Sequence, residues 1–319
     1  VNVDLRAVVL SYGPGRLYQA VLESLAREGL ESSRVLIVHN PSTRSESAPL
    51  VDGVEVLRSS HNLGYAAAMN CGVRRSLERG CDWVLVLTHD AARRPGALAR
   101  MVDAAAAHER QGALGPALMV AGTETVFSYG GLTNRFGGVS HRRELPAAGT
   151  ELVDCNWIDG GTLLLRAAAL ERAGLFEERF WSYFEDAEIC LRISRAGYGV
   201  AVVPAAVADQ EPGMNKRLGP WAYLMTRNGI AYAGRFGGVP GTLAATGRAL
   251  WDAGFEAIRT LARALHLRPG DPVERWAVTV GKLRGIADCA RGRWGPPPPG
   301  LPGGGDIGNV EPLEEGGDG

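Results

Sequence analysis

Residues 181–192, WSYFEDAEICLR, set three carboxylates, Glu185, Asp186 and Glu188, directly behind an aromatic cluster. A carboxylate drawn out of water against Trp and Phe is costly unless it is paired or put to use. Ser182 and Glu185 fit the S-x-x-E capping box, with Ser182 as N-cap and Glu185 at the third helical position. Glu188 and Arg192 stand four apart, in the order that favours a helical ion pair. Asp186 is left without a local partner. At a first helical turn the dipole favours its anion, while desolvation by Trp181 and Phe184 raises its pKa. Those opposing pushes suit a general base. Trp181 has two readings, a core residue or a platform for an acceptor sugar.

A second carboxylate stands at the end of DWVLVLTHDA, where five apolar residues run into Thr88-His89-Asp90. A diphosphate leaving group needs its charge neutralised, and Mg²⁺ or Mn²⁺ takes oxygen ligands from one or two carboxylates. Asp90 suits that task, and His89 could join it if the metal is Mn²⁺. Equally, Asp90 caps the helix that leads through Pro95. The first strand runs into Ser11-Tyr12-Gly13-Pro14-Gly15-Arg16, but the third glycine of a dinucleotide fingerprint is Tyr18, and the second strand ends in His39-Asn40 rather than a ribose-binding acid. Both failures argue against a nicotinamide or flavin fold. The basic signature of a sugar nucleotidyltransferase is missing too. His61 reads as a loop residue or a phosphate contact beside Asn62, while His108, His141 and His266 have no partner visible in sequence.

The elements that must position these groups follow from periodicity. Strand-length apolar runs lie at 7–11, 35–38, 54–57, 83–87, 163–165 and 200–203. Between the early ones, Leu17, Val21 and Leu25 share a helical face, as do Met69, Val73 and Leu77. Alternating strand and helix predicts an α/β fold with a mostly parallel central sheet flanked by helices. Ligands of such sheets bind beyond the carboxyl ends of the strands, where Ser11, Tyr12, Asn40 and Asp90 fall.

The character changes after residue 211. Residues 212–295 hold 13 Arg or Lys against 5 Asp or Glu, with helical apolar spacing at Leu250, Gly254, Ile258 and Leu261. This segment reads as a helical cap packed on residues 1–211, or as a basic surface for a membrane or an acidic, lipid-linked acceptor. Residues 296–319 open with PPPPG and then carry five acids and no base, the composition of a disordered tail.

Composition bounds the rest. Apolar residues make up 45% of 319, enough for a large core, and the net charge of −1 argues against a nucleic-acid binder. Lys216 and Lys282 are the only lysines, and the excess of Arg reads as coding bias rather than a patch. Five cysteines without CxxC spacing fit small buried hydrophobes in a reducing cytoplasm. No apolar run approaches the ~20 residues that span a bilayer, and no signal peptide precedes the first strand. The expectation is a cytoplasmic protein, with peripheral contact at the inner membrane face through 212–295 and a second copy of the chain as a further partner.

In this order the pieces resemble the family 2 glycosyltransferases of GT-A fold, especially the branch of rhamnosyl- and related sugar transferases. SSHNLGYAAAMNCGV looks like the family's N-x-G-(x)5-N block, on Asn62, Gly64 and Asn70. LTHDA takes the place of its metal motif, with Asp90 on the final Asp. The stretch from Trp157 to Pro204 is similar to its G-(A/G)-x-x-L-x-R strand, its G-x-F-(D/E)-E turn, its aromatic-x-x-E-D helix and its closing R-x-x-x-x-G. YLMTRNGIAY matches an R-N segment at Arg227 and Asn228. The likeness covers about residues 5–235.

The resemblance implies an inverting transferase that moves a hexose or deoxyhexose from a UDP- or dTDP-sugar to a hydroxyl of a glycan, a lipid-linked saccharide or a small molecule. It puts the catalytic base on Asp186 and donor contacts on Ser11, Tyr12, Asn40, Asn62, Gly64, Asn70 and Asp90. Gly160, Gly161, Trp181 and Glu185 would meet acceptor or sugar. Two departures stand out. His39-Asn40 replaces an acid that often holds the base, and Asp209-Gln210 occurs where the family commonly has a His. Asp209 can ligate Mg²⁺ or Mn²⁺ with Asp90, and Lys216, Arg217 or Arg227 would otherwise neutralise the diphosphate. The rival readings are a catalytically weak scaffold of the same fold and a sugar nucleotidyltransferase.

Overall fold

Runs of Val, Leu and Ile that can bury both faces form the centre of one mixed sheet. The computed structural model describes residues 3–12, 17–42, 51–89, 92–210, 218–265 and 272–302. Strands β1 (Leu5–Tyr12), β2 (Val35–Asn40), β3 (Glu55–Arg58) and β4 (Trp83–Thr88) lie parallel in the order β4-β1-β2-β3. Next come β5 (Ala92–Arg93), β6 (Gln111–Val120), β7 (Val126–Ser128), the hairpin β8 (Gly131–Thr133) and β9 (Val139–His141), then β10 (Val153–Asp154), β11 (Thr162–Arg166) and β12 (Gly199–Gln210). The full order is β10-β12-β6-β11-β4-β1-β2-β3. The parallel blocks match the expected α/β sheet. Between them β11 runs antiparallel to both β4 and β6.

Alternate side chains of these strands feed two cores, as the period of two requires. Ala7, Val9, Ile37 and Leu85 face helices α1 (Leu17–Arg27) and, beyond α2 (Gly64–Leu77), α3 (Ala97–Ala107). Val8, Leu36, Val38 and Val86 face α2 and α5 (Glu185–Arg195), which follows the short α4 (Ala167–Ala173). Each fully buried Val or Leu contributes roughly 1.5–3 kcal/mol. At Gly72, α2 lies so close to the sheet that a Cβ would meet Val8 and, at 2.9 Å, Val38.

The C-terminal segment is helical, as expected. It comprises α6 (Leu218–Ala264) and α7 (Pro272–Ala290). Gly238 (φ 61°) and Pro240 kink α6 and fold it back, so that Ile230 and Ala233 pack against Ala245 and Ala249 beyond the kink. The face containing Leu250, Ile258 and Leu261, whose segment read as either a packed cap or an outward surface, points outward at 51%, 66% and 59% exposure. Small alanines fill the inner seam instead. Residues 296–302, assigned by composition to the tail, also pack: Leu301 is buried against Tyr223 and Leu224.

Candidate active site

Gly160 and Gly161, just before β11, join three elements at the carboxyl edge of the sheet. Thr88 N at the end of β4 donates to Gly161 O (3.1 Å), and Tyr65 Oη on α2 donates to Gly160 O (2.6 Å). From the other side, Gly160 N donates to Asp186 Oδ2 (3.1 Å), and Ala187 N donates to Asp186 Oδ1 (2.7 Å). A Cβ at Gly160 would stand 2.9 Å from the Tyr65 hydroxyl, so backbone alone fits. Asp186 therefore sits at the floor of an open crevice of about 620 Å³, flanked by Tyr65, Asp159, Gly160 and Glu185.

Asp159 is a residue the motif reading passed over. Its carboxylate accepts from Gly161 N (2.9 Å) and faces the same crevice as the acidic pair. Burial, then the charge of Asp159, raises Asp186 to about 7, against the pull of the Ala187 and Gly160 amides. Burial, then the Asp186 charge, pushes Glu185 well above the usual carboxylate range. Tyr65 is raised by burial and by the same acids, which keeps it a hydrogen-bond donor.

The capping box does not form. Helix α5 begins at Glu185 itself, preceded by Phe184 in a left-handed conformation (φ 69°), and Ser182 makes no cap. Glu185 is 5% exposed, and its Oε2 has no partner among the described residues. The expected pair of Glu188 with Arg192 is present (2.8 Å), but Glu188 is 1% exposed and also binds Arg235, so it is a buried network rather than a surface pair.

Trp181, Tyr183 and Phe184 all hold positive φ, at 64°, 68° and 69°. Bulky residues avoid that region at about 1–3 kcal/mol each. The loop is held by Arg227 and Asn228 of α6, both fully buried. Asn228 Nδ2 donates to the carbonyls of Phe180, Ser182 and Tyr183 at 2.8–2.9 Å, and Arg227 Nη2 donates to Phe180 O at 3.1 Å. Arg227 also stacks on Trp294 and bonds Gly295 O. It is thus a loop clamp, not the diphosphate cation expected of it, because every face of its guanidinium is occupied by protein.

Other expected contacts are spent on scaffold. Asn70 Nδ2 donates to Phe176 O (2.9 Å) and Glu178 (2.8 Å) while its Oδ1 accepts from Phe176 N (3.0 Å), so it anchors the turn before the loop rather than meeting donor. Asn40 Nδ2 donates to Asn62 Oδ1 (3.0 Å), and Asn40 Oδ1 accepts from Leu63 N (2.7 Å). Together they fold the entry of α2 at Gly64 (φ 79°), where a Cβ would lie 2.6 Å from Trp181. Trp181 consequently packs beside Tyr223 and Leu224 and does not line the crevice. Besides Tyr65, the crevice aromatics are Phe127, Trp157, Tyr183, Phe184 and Trp221, with His141 among them. His141 Nδ1 pairs with Ser128 Oγ (3.0 Å), its ring lies 4.9 Å from that of Trp157, and burial lowers its pKa.

Ser11 and His39 are buried neighbours at the ends of β1 and β2. Tyr12 N donates to His89 Nδ1 (3.3 Å). Asp209 lines the crevice, but its carboxylate holds Arg94 Nη2 at 2.9 Å. Among the described residues no three His, Cys, Asp or Glu groups converge as a metal set. Asp209 could ligate a cation only after releasing Arg94, and the described residues by themselves show no metal set. Asp90, Lys216, Arg217 and Gly13–Arg16 lie outside the described residues.

Residues 8–158 match the profile of Glycosyl transferase family 2. The chain is 28% identical over 255 residues to the N-acetylglucosaminyl-diphospho-decaprenol L-rhamnosyltransferase of Mycobacterium tuberculosis, covering 72% of this chain and 82% of that protein. Its fold is similar to that of GalNAc-T7 solved with UDP, GalNAc and Mn²⁺ (TM-score 0.55, 15% identity, 67% of this chain and 44% of the other). It is similar also to the mannosyltransferase PcManGT of Pyrobaculum calidifontis with GDP-Man and Mn²⁺ (TM-score 0.51, 16% identity, 90% and 87%).

Proposed function

We propose that the crevice of this chain, whose residues 8–158 match the family 2 glycosyltransferases, transfers a hexose or deoxyhexose from a UDP- or dTDP-sugar to a hydroxyl of a lipid-linked saccharide, with inversion and with Asp186 as the base. The single observation that carries this reading is the placement of Asp186, whose carboxylate is bonded by Gly160 N and Ala187 N at the floor of the crevice. Each oxygen retains a lone pair for an acceptor hydroxyl. Asp186 takes that proton as the acceptor oxygen bonds to the anomeric carbon and the bond to the diphosphate breaks. One displacement needs one base and no enzyme nucleophile. Glu185, 5% exposed beside Asp186, is raised by burial and by the Asp186 charge, which favours the protonated form that can donate a hydrogen bond to a sugar.

The acceptor class comes from the decaprenol-linked substrate in the mycobacterial relative's name. The wall of Phe127, His141, Trp157 and Trp221 offers the apolar faces that sugar rings stack on. Peripheral placement at the inner membrane face goes with that acceptor, and among the described residues no helix is long and apolar enough to cross a membrane. Mg²⁺ or Mn²⁺ belongs to the reading through the two Mn²⁺-bound neighbours. Asp90 would hold it, Asp209 could join only after releasing Arg94, and Lys216 would help neutralise the diphosphate. Asp186→Asn tests the reading. With UDP- and dTDP-sugars and a polyprenyl-diphosphate saccharide, turnover should fall at least ~10²-fold while donor binding by calorimetry stays near normal. Unchanged turnover removes Asp186 from the reaction.

A further inference from the structure

Beyond its kink, α6 carries large apolar side chains that nothing in the described structure covers. Leu243, Leu250, Ile258, Leu261 and Leu265 recur every three or four residues or their multiples, so they fall on one face. Their exposures run from 51% to 68%. Trp251 (76%) and Phe255 (48%) widen the stripe, and Gly247 and Gly254 lie within it. At 1.5 Å per residue the stripe is about 33 Å long. Helix α7 adds exposed Val273, Trp276 and Leu283. Single exposed hydrophobes need no explanation, but a continuous band of this length does.

The charges beside the band are unbalanced. Three acids of this bundle are neutralised within it: Asp252 by Lys282 (3.6 Å), Glu256 by Arg275 (2.9 Å) and Asp288 by Arg293 (3.7 Å). Glu274 is the exposed acid that remains, at the start of α7. Against it, Arg248, Arg284 and Arg291 are exposed and Arg263 is half-buried, none with an ion pair among the described residues. A second copy of the chain meeting this face would set arginine against arginine. A bilayer surface bearing anionic headgroups complements both features, with apolar side chains and Trp rings entering the headgroup boundary and arginines at the phosphates.

We propose that the outer face of the α6–α7 bundle, centred on Trp251, Phe255, Ile258 and Leu261, docks the protein flat on an anionic lipid bilayer. This names the surface and the lipid charge behind the peripheral placement proposed above, and it does not rest on the chemistry of Asp186. The segment of α6 before the kink supplies Trp221 to the crevice, so the helix that walls the reaction site packs against the one proposed to lie on lipid.

The test is flotation of the full protein with vesicles of phosphatidylcholine alone or with ~30% phosphatidylglycerol, free of donor and acceptor. The protein should float with the anionic vesicles and lose that association as salt rises. The double variant Ile258→Glu/Leu261→Glu should partition at least ~10-fold less. Arg284→Glu/Arg291→Glu should lose the preference for phosphatidylglycerol. Both variants change exposed residues, so their melting curves and lipid-free donor hydrolysis should match wild type. Absence of flotation with anionic vesicles at low salt overturns the inference, as does unchanged flotation of Ile258→Glu/Leu261→Glu. A dimer in sedimentation equilibrium that this variant dissolves would also overturn it, giving the face to a second copy. Failure of the Asp186 reading would leave flotation intact, which separates the two.

Discussion

The pH dependence of turnover follows from how Asp186 is held. A base works only when ionised, and burial together with the Asp159 charge raises this carboxyl from 3.8 to about 7. Its ionised fraction is then about nine-tenths at pH 8 and about one-tenth at pH 6. kcat/KM should therefore rise roughly tenfold per pH unit below 7 and level off above it, whereas an ordinary carboxylate would give a flat profile over pH 6–9. Asp159→Asn keeps a side-chain oxygen for Gly161 N but removes the charge that raises Asp186, so the acid limb should move to lower pH.

Stability should run the other way. The folded-state pKa is raised, so between about pH 4 and 7 the native state holds a proton that the unfolded chain has released. Stability then falls as pH rises through that window. A shift of about three units corresponds to an upper bound of ~4 kcal/mol, reduced by the open side of the crevice. Asp186→Asn removes that cost and loses one backbone acceptor, worth ~1–3 kcal/mol. It should melt later than wild type at pH 8, by ~1–2 kcal/mol in chemical denaturation, while being inactive. Initial rates across pH 5–9 and urea melts at pH 5 and 8 provide the readings. A flat rate profile, or an Asp159→Asn limb that stays in place, would refute this account of the base.

Asn228→Ala strips the side-chain amide that the carbonyls of Phe180, Ser182 and Tyr183 share. It should cost ~2–4 kcal/mol of stability and lower kcat more than donor KM, since the loop delivers Asp186. Equal loss in a loop-independent binding assay would count against the clamp. Mn²⁺ should strengthen UDP or dTDP binding in calorimetry, and Asp90→Ala should abolish that gain. If Asp90→Ala leaves it intact, the cation site lies elsewhere.

Much of the sheet was legible because burial on both faces demands unbroken apolar runs, and such runs mark themselves in sequence. The boundaries were less so: the run at 200–203 extends to Gln210 as β12, since an edge of small and polar residues can still pair with β6. Asp186 stood out because its neighbours lacked a partner for it. Asp159 and His141 did not, since nothing beside them in the chain hints at the crevice they share. The outward turn of Leu250, Ile258 and Leu261 was one of two readings that the spacing left open. Helical periodicity reveals that a face is apolar, but not what it meets.

By itself, then, the amino-acid order determined the alternation of strand and helix, and it pointed to the sheet edge and the acid on which the proposed reaction rests. Those properties depend on neighbours within a few positions, where period and propensity operate. Tertiary structure alone decided that Arg227 and Asn228 would hold an unfavourable aromatic loop some 46 residues away. It likewise fixed which acids would crowd one another enough to move a pKa. Such effects arise from burial and charge across contacts between distant segments, and no local pattern encodes a distance.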